Sequence, residues 1–139
     1  MKINLVMIVR NEERSLERCL KSAEHLVDDI IIADTGSADR TKEIARNAGA
    51  LVLEYGWTDD FSAARNFALD HSDGDWNLVL DADETLRPYS RERLEERISR
   101  LWAAYGQAWM GAITRYDSYH DVDGISVSTS LIPRLLPRG

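Results

Sequence analysis

Four short apolar runs in the first eighty residues constrain most of what this chain can become. They are Ile3 to Val9, interrupted by Asn4 alone, Ile30-Ile31-Ile32-Ala33, Leu51-Val52-Leu53 and Leu78-Val79-Leu80. Each run is continuous rather than alternating, which is the pattern of a strand buried on both faces. Between them, apolar residues recur at helical spacing: Leu16, Cys19, Leu20 and Ala23, then Thr41, Ile44, Ala45 and Ala48, then Phe61, Ala64 and Ala68. Alternation of strand and helix implies a mostly parallel α/β sheet with right-handed crossovers and helices on both faces. At 139 residues the chain is expected to form a single domain.

The strands end at polar or acidic residues. In Trp76-Asn77-Leu78-Val79-Leu80-Asp81-Ala82-Asp83-Glu84 an apolar run stops at three carboxylates. Ligands of open parallel sheets bind just outside the carboxyl ends of the strands. Two Asp one residue apart would there offer oxygens to a hard divalent cation that also holds a phosphate. Asp is also a common turn residue, and the motif by itself leaves both readings open.

Several junctions carry helix-start signals. After the first run, Asn11 is expected to cap a helix with Glu12 and Glu13 in its first turn. Gly36 allows a tight turn in Asp34-Thr35-Gly36-Ser37-Ala38-Asp39, where Ser37 or Asp39 would cap the next helix. Gly49 should stop that helix. Asp60 is expected to cap the third, with Arg65 and Asn66 at its flank, and His71 in its last turn has no expected catalytic role. A fourth helix from about Ser90 would carry the stripe Leu94, Ile98, Leu101, Trp102 and Tyr105. Trp109 to Tyr119 and Ile125 to Ile132 then read as a β-hairpin-like segment, with Asp123-Gly124 near its turn. Tyr116, Asp117, His120, Asp121 and Asp123 are read as exposed turn chemistry rather than a metal cluster.

The formal charge is −7, from 17 Lys and Arg against 24 Asp and Glu, and argues against nucleic acid as the partner. A phosphate-bearing small ligand would need a local remedy, such as a cation held by the carboxylates. The one cysteine, Cys19, lies on the apolar face of its helix and reads as a core thiol. No Gly-x-Gly-x-x-Gly or Gly-Lys-Ser/Thr follows a strand, so neither a nicotinamide cofactor nor a P-loop nucleotide is supported. No apolar run is long enough to span a bilayer, and the N-terminus lacks a signal-peptide core. A cytoplasmic protein is expected, at the inner face of the membrane if its acceptor lies there.

Four segments in order carry a resemblance: Met7-Ile8-Val9-Arg10-Asn11-Glu12-Glu13, then Asp34-Thr35-Gly36-Ser37-Ala38-Asp39-Arg40-Thr41, then Asp59-Asp60-Phe61-Ser62-Ala63-Ala64-Arg65-Asn66, then Leu80-Asp81-Ala82-Asp83-Glu84. Together they resemble the nucleotide-sugar-binding part of family 2 inverting glycosyltransferases of GT-A fold. The nearest flavour is the subgroup of lipopolysaccharide-core glucosyltransferases and glycosyltransferases fused to helical repeats. The resemblance implies a UDP-sugar donor, a Mg²⁺ or Mn²⁺ ion, and a glycan, lipid-linked or peptide acceptor. It implies that Val9 and Asp34 line the base, Asp34 accepting its imide N–H, and that Asn11 and Glu12 border the ribose. Arg65 would bind a phosphate bidentately. Asp81 and Asp83 match the DXD motif, Asp81 near ribose and metal and Asp83 ligating the ion.

The family's carboxylate base is expected beyond residue 139. The chain therefore reads as a domain truncated before its acceptor-binding region, able to bind nucleotide and metal but poor in transfer. Asp81-Ala82-Asp83-Glu84-Thr85 also fits the Asp-x-Asp-x-Thr of haloacid-dehalogenase-like phosphatases, with Asp81 as nucleophile and Asp83 as acid/base. That family needs a later Lys, and no Lys follows Lys42. A non-catalytic nucleotide-sugar-binding domain is the other alternative.

Overall fold

A computed structural model describes residues 1–106, 111–121 and 124–138, the span 111–134 by its backbone. The elements run β1 (Ile3–Val9), α1 (Leu16–Ala23), β2 (Asp29–Asp34), α2 (Thr41–Asn47), β3 (Leu51–Glu54), α3 (Phe61–Asp70), β4 (Trp76–Val79), α4 (Arg91–Tyr105), β5 (Gly111–Asp121) and β6 (Gly124–Pro137). They build one sheet in the order β3-β2-β1-β4-β6-β5. The first four strands are parallel, and β6 returns antiparallel beside β4, pairing Leu135 with Leu78. β5 and β6 form the expected hairpin. The side chains of the acidic and His residues near its tip lie outside the described residues.

Continuous apolar strands arise because both faces are covered. Ile3, Leu5, Met7 and Val9 join α1 residues Leu16, Cys19, Leu20 and Ala23, α2 residue Ala45 and α4 residue Ile98 in one cluster. Val6 instead packs with Ile31, Ala33 and α3 residue Ala68 on the other side. Helices therefore sit on both faces, and β1 is central. Replacing the fully buried Leu5 with Ala is expected to lower stability by about 2–5 kcal/mol, checked by urea unfolding.

Four local expectations are corrected. Asn11 does not cap α1: its φ is +51°, and the helix starts later, at Ser15 and Leu16, after a turn over Glu12. Ala48 is exposed because it ends α2, where Gly49 at φ +81° and the bond from Ala50 N–H to Ala45 O close the helix. Phe61 shares the helical angle of Ala64 and Ala68 yet is 72% exposed. It is the first residue of α3, and helical side chains lean towards the N-terminus, so its ring projects past the packed face. On α4 only Ile98 of the expected stripe is buried; Trp102 packs edge-on against Trp76 at 5.4 Å with part of its surface open, and Tyr105 is exposed.

Asp60 caps α3 as expected, and α4 starts where expected, at Ser90. Asp60 accepts Ala63 N–H at 3.0 Å and Ser90 accepts Arg93 N–H at 3.2 Å. His71 ends α3 with its Nδ1 donating to Phe67 O at 2.7 Å.

Candidate functional site

The carboxyl ends of β1 and β4 and the start of α3 enclose an open cleft of about 540 Å³. Val9, Arg10 and Glu12 line one side, Phe61, Ser62 and Arg65 another, and Asp81-Ala82-Asp83 a third. Val9, Glu12, Arg65, Asp81 and Asp83 are thus brought together as the sequence suggests. Arg10, Phe61 and Ser62 were not among the expected site residues. Their signal was position, the residue after a strand and the first turn of a capped helix, and membership of the segments that carry the resemblance.

Asp81, Asp83 and Glu84 each offer an oxygen within 4.8 Å of the others. An all-oxygen, anionic donor set suits Mg²⁺ or Mn²⁺. The same charge is felt behind the turn. Cys19 is buried with its Sγ donating to Asp81 O at 3.5 Å. Burial first, then the charges of Glu84, Asp83 and Asp81, push its thiol pKa up to about 12. It is the inert core thiol expected. Arg65 does not pair with Asp59 or Asp60. Its Nη2 stands 3.7 Å from Asp81 Oδ1 across the cleft, both side chains partly open to water.

Asp34 is 2% exposed and is the cross-strand partner of cleft residue Val9. Its Oδ1 accepts the N–H groups of Gly36 at 3.0 Å and Ser37 at 2.9 Å. Gly36 stands at φ +116°, a conformation other residues rarely adopt. The other oxygen, Oδ2, is buried without a hydrogen-bond partner among the described residues. A buried acceptor left unmet costs about 1–3 kcal/mol, so its retention invites a functional explanation.

Asn11 is used differently. Its N–H donates to Ser37 Oγ at 2.9 Å and its Oδ1 accepts Ala38 N–H at 2.8 Å. Glu12 N–H reaches Thr41 Oγ1 at 2.8 Å, and Glu13 accepts Arg40 N–H at 3.1 Å. Asp39 accepts Thr41 N–H at 2.9 Å, bracing the start of α2 from one residue before its cap. The loops after β1 and β2 are therefore laced together. Asn11 is part of that lacing and not of the cleft lining, whereas Glu12 serves both, its carboxylate accepting Ser15 Oγ–H at 3.1 Å.

An open sheet of this order, with carboxylates gathered where β4 ends and a half-covered cleft beside β1, defines the GT-A class of fold. The chain belongs to glycosyl transferase family 2, whose pattern it matches over residues 4–134. It is 32% identical over 106 residues to an uncharacterized glycosyltransferase of Rickettsia typhi, covering 76% of this chain and 35% of that protein. It is 56% identical over 85 residues to a TPR repeat-containing protein of Synechococcus elongatus, covering 61% of this chain and 21% of the other. The fold is shared with glucosyl-3-phosphoglycerate synthase of Mycobacterium tuberculosis, solved in complex with UDP, at TM-score 0.59 and 25% identity, over 76% of this chain and 42% of that one. Against S. aureus TarS the TM-score is 0.63 at 21% identity, over 72% and 20% of the two chains. The chain thus spans between a fifth and about two fifths of the length of these proteins. The phosphatase alternative is not favoured: the cleft's cations are arginines, and no Lys lines it among the described residues. Among those residues, no helix is long and apolar enough to cross a membrane.

Proposed function

We propose that this domain binds a nucleotide-diphospho-sugar, a UDP-sugar by preference, together with Mg²⁺ or Mn²⁺, for inverting transfer to an acceptor hydroxyl of a glycan, lipid-linked sugar or peptide. The observation that carries the reading is the convergence of Asp81, Asp83 and Arg65 on one cleft. Asp83 and Asp81 would hold the ion, which when bound neutralises charge on the departing diphosphate. Arg65, opposite Asp81, is placed to take a phosphate oxygen with its planar fork. Val9 would floor the base, Asp34 Oδ2 would accept its imide N–H, and Glu12 would border the ribose. Asn11 would act there through the loop it laces.

Support comes from the mycobacterial synthase, solved with Mn²⁺ and UDP-glucose at TM-score 0.58 and 25% identity. The 56% identity to a TPR repeat-containing relative supports the kinship with glycosyltransferases fused to helical repeats; the lipopolysaccharide-core subgroup, a hexose donor and a cytoplasmic setting are proposed with it on the resemblance of the motifs. The base for the acceptor is proposed to lie in the part of such longer proteins that this chain does not match. Calorimetric titration of UDP with Mn²⁺ or with EDTA tests the reading. Binding that requires the ion supports it, and absence of binding in both conditions, in this chain and in the full-length protein, refutes it. Binding without transfer in the full-length protein would identify a non-catalytic domain.

A further inference from the structure

We propose that Glu84 is a positioning residue that braces the Asp81–Asp83 turn, and that its charge is not needed for holding the ion. This rests on the nucleotide-and-metal reading above. Asp81 is gripped at both ends of its own backbone by Glu84: its N–H donates to Glu84 Oε1 at 2.8 Å, and its C=O accepts Glu84 N–H at 3.0 Å. Reciprocal bonding over four residues is the device that fixes the first turn of many helices. Here no helix starts at the turn, and the device fixes the end of a strand instead. The residue between the two aspartates, Ala82, is buried in the main core cluster with Leu80 and Cys19. A turn with its middle residue sunk in the core must carry its flanking carboxylates outward, provided that its backbone cannot roll.

The segment beyond is held from the same side. Cys19 reaches Asp81 O at 3.5 Å, and Ser22 Oγ accepts Leu86 N–H at 3.0 Å while donating to Cys19 O at 2.7 Å. His25 Nε2, just after α1, donates to Tyr89 O at 2.8 Å. Three residues spaced by three thus pin the irregular stretch from Asp81 to Tyr89. Glu84 acts on Asp81 through a side-chain oxygen, and an oxygen committed to an N–H is a poorer metal donor.

The two roles separate by substitution. Gln keeps an acceptor oxygen for Asp81 N–H but no charge, and Ala keeps neither. Mn²⁺-dependent UDP binding is measured by calorimetry for the parent protein, Glu84→Gln and Glu84→Ala, with melting temperatures alongside. The expected result is that Glu84→Gln binds within about threefold of the parent and Glu84→Ala about tenfold or more weakly, the range found when outer partners of a metal ligand are removed. Equal losses in both variants would make the charge essential and overturn the proposal, as would an unaltered Glu84→Ala. Amide exchange at Asp81, followed by NMR without ligand, tests the brace independently: exchange should accelerate in Glu84→Ala by about tenfold and be largely restored in Glu84→Gln. Unchanged exchange overturns the brace even where UDP binds. Failure of the parent to bind UDP would sink the nucleotide reading, and with it the metal-holding role.

Discussion

Asp83→Ala is expected to abolish the Mn²⁺-dependent part of UDP binding while leaving the fold intact. Asp83 is exposed at the outer corner of the β4 turn and shares a 4.8 Å donor cluster with Asp81 and Glu84. Removing an outer partner of a metal ligand commonly costs about 10–100-fold in affinity, so loss of a ligand should cost about 100-fold or more. Stability should move within about 0.5 kcal/mol, because no packing is lost at an exposed position. Calorimetry with Mn²⁺ and with EDTA, alongside a thermal melt, checks both halves. Arg65→Lys makes a useful companion. It keeps the charge facing Asp81 but loses the planar fork, and a smaller loss, insensitive to EDTA, is expected. If Asp83→Ala bound UDP and Mn²⁺ like the parent, the turn would be no more than the strand-end turn that its sequence equally allows.

The fold was legible where burial is symmetrical. β1, β2 and β4 are continuous apolar runs packed on both faces, whereas β3, read as equally buried, lies at the sheet edge with Leu51 half exposed; the acids that end β2 and β4 mark the carboxyl edge where the cleft forms. What could not be read from periodicity is strand order: nothing in Trp76–Val79 says that it lies beside β1, or that β6 returns antiparallel to it. Misreadings cluster at element ends. Asn is favoured both as a helix cap and in the left-handed region, and at Asn11 the long-range bonds to Ser37 and Ala38 decide for the latter. Phe61 has the angle of a core residue but the position of a first-turn residue. Glu84 illustrates a third limit: nothing in the sequence says that its carboxylate turns back to accept the Asp81 N–H.

Asp34→Asn is expected to reverse nucleotide preference. Asp34 is the most deeply buried of the candidate carboxylates, and its two oxygens are in different situations. Oδ1 fixes the Gly36 turn, and Oδ2 has no hydrogen-bond partner among the described residues. In the reading above, Oδ2 meets the imide N–H of uracil. An Asn keeps an oxygen for the Gly36 and Ser37 N–H groups, so the loop should survive and the melting temperature should stay close to that of the parent. Its amide nitrogen, however, presents donors where the base also presents one. Loss of a hydrogen bond to a charged acceptor is worth about 1.5–3 kcal/mol, which is about 10–150-fold in UDP affinity. Cytosine carries an acceptor at the same ring position, so the substitution that injures UDP should favour CDP, since specificity is a difference between two affinities. Titrating both nucleotides into both proteins with Mn²⁺ present decides it. Equal losses for UDP and CDP would mean that Asp34 shapes the loop without touching the base, and the orphaned oxygen would then need another explanation.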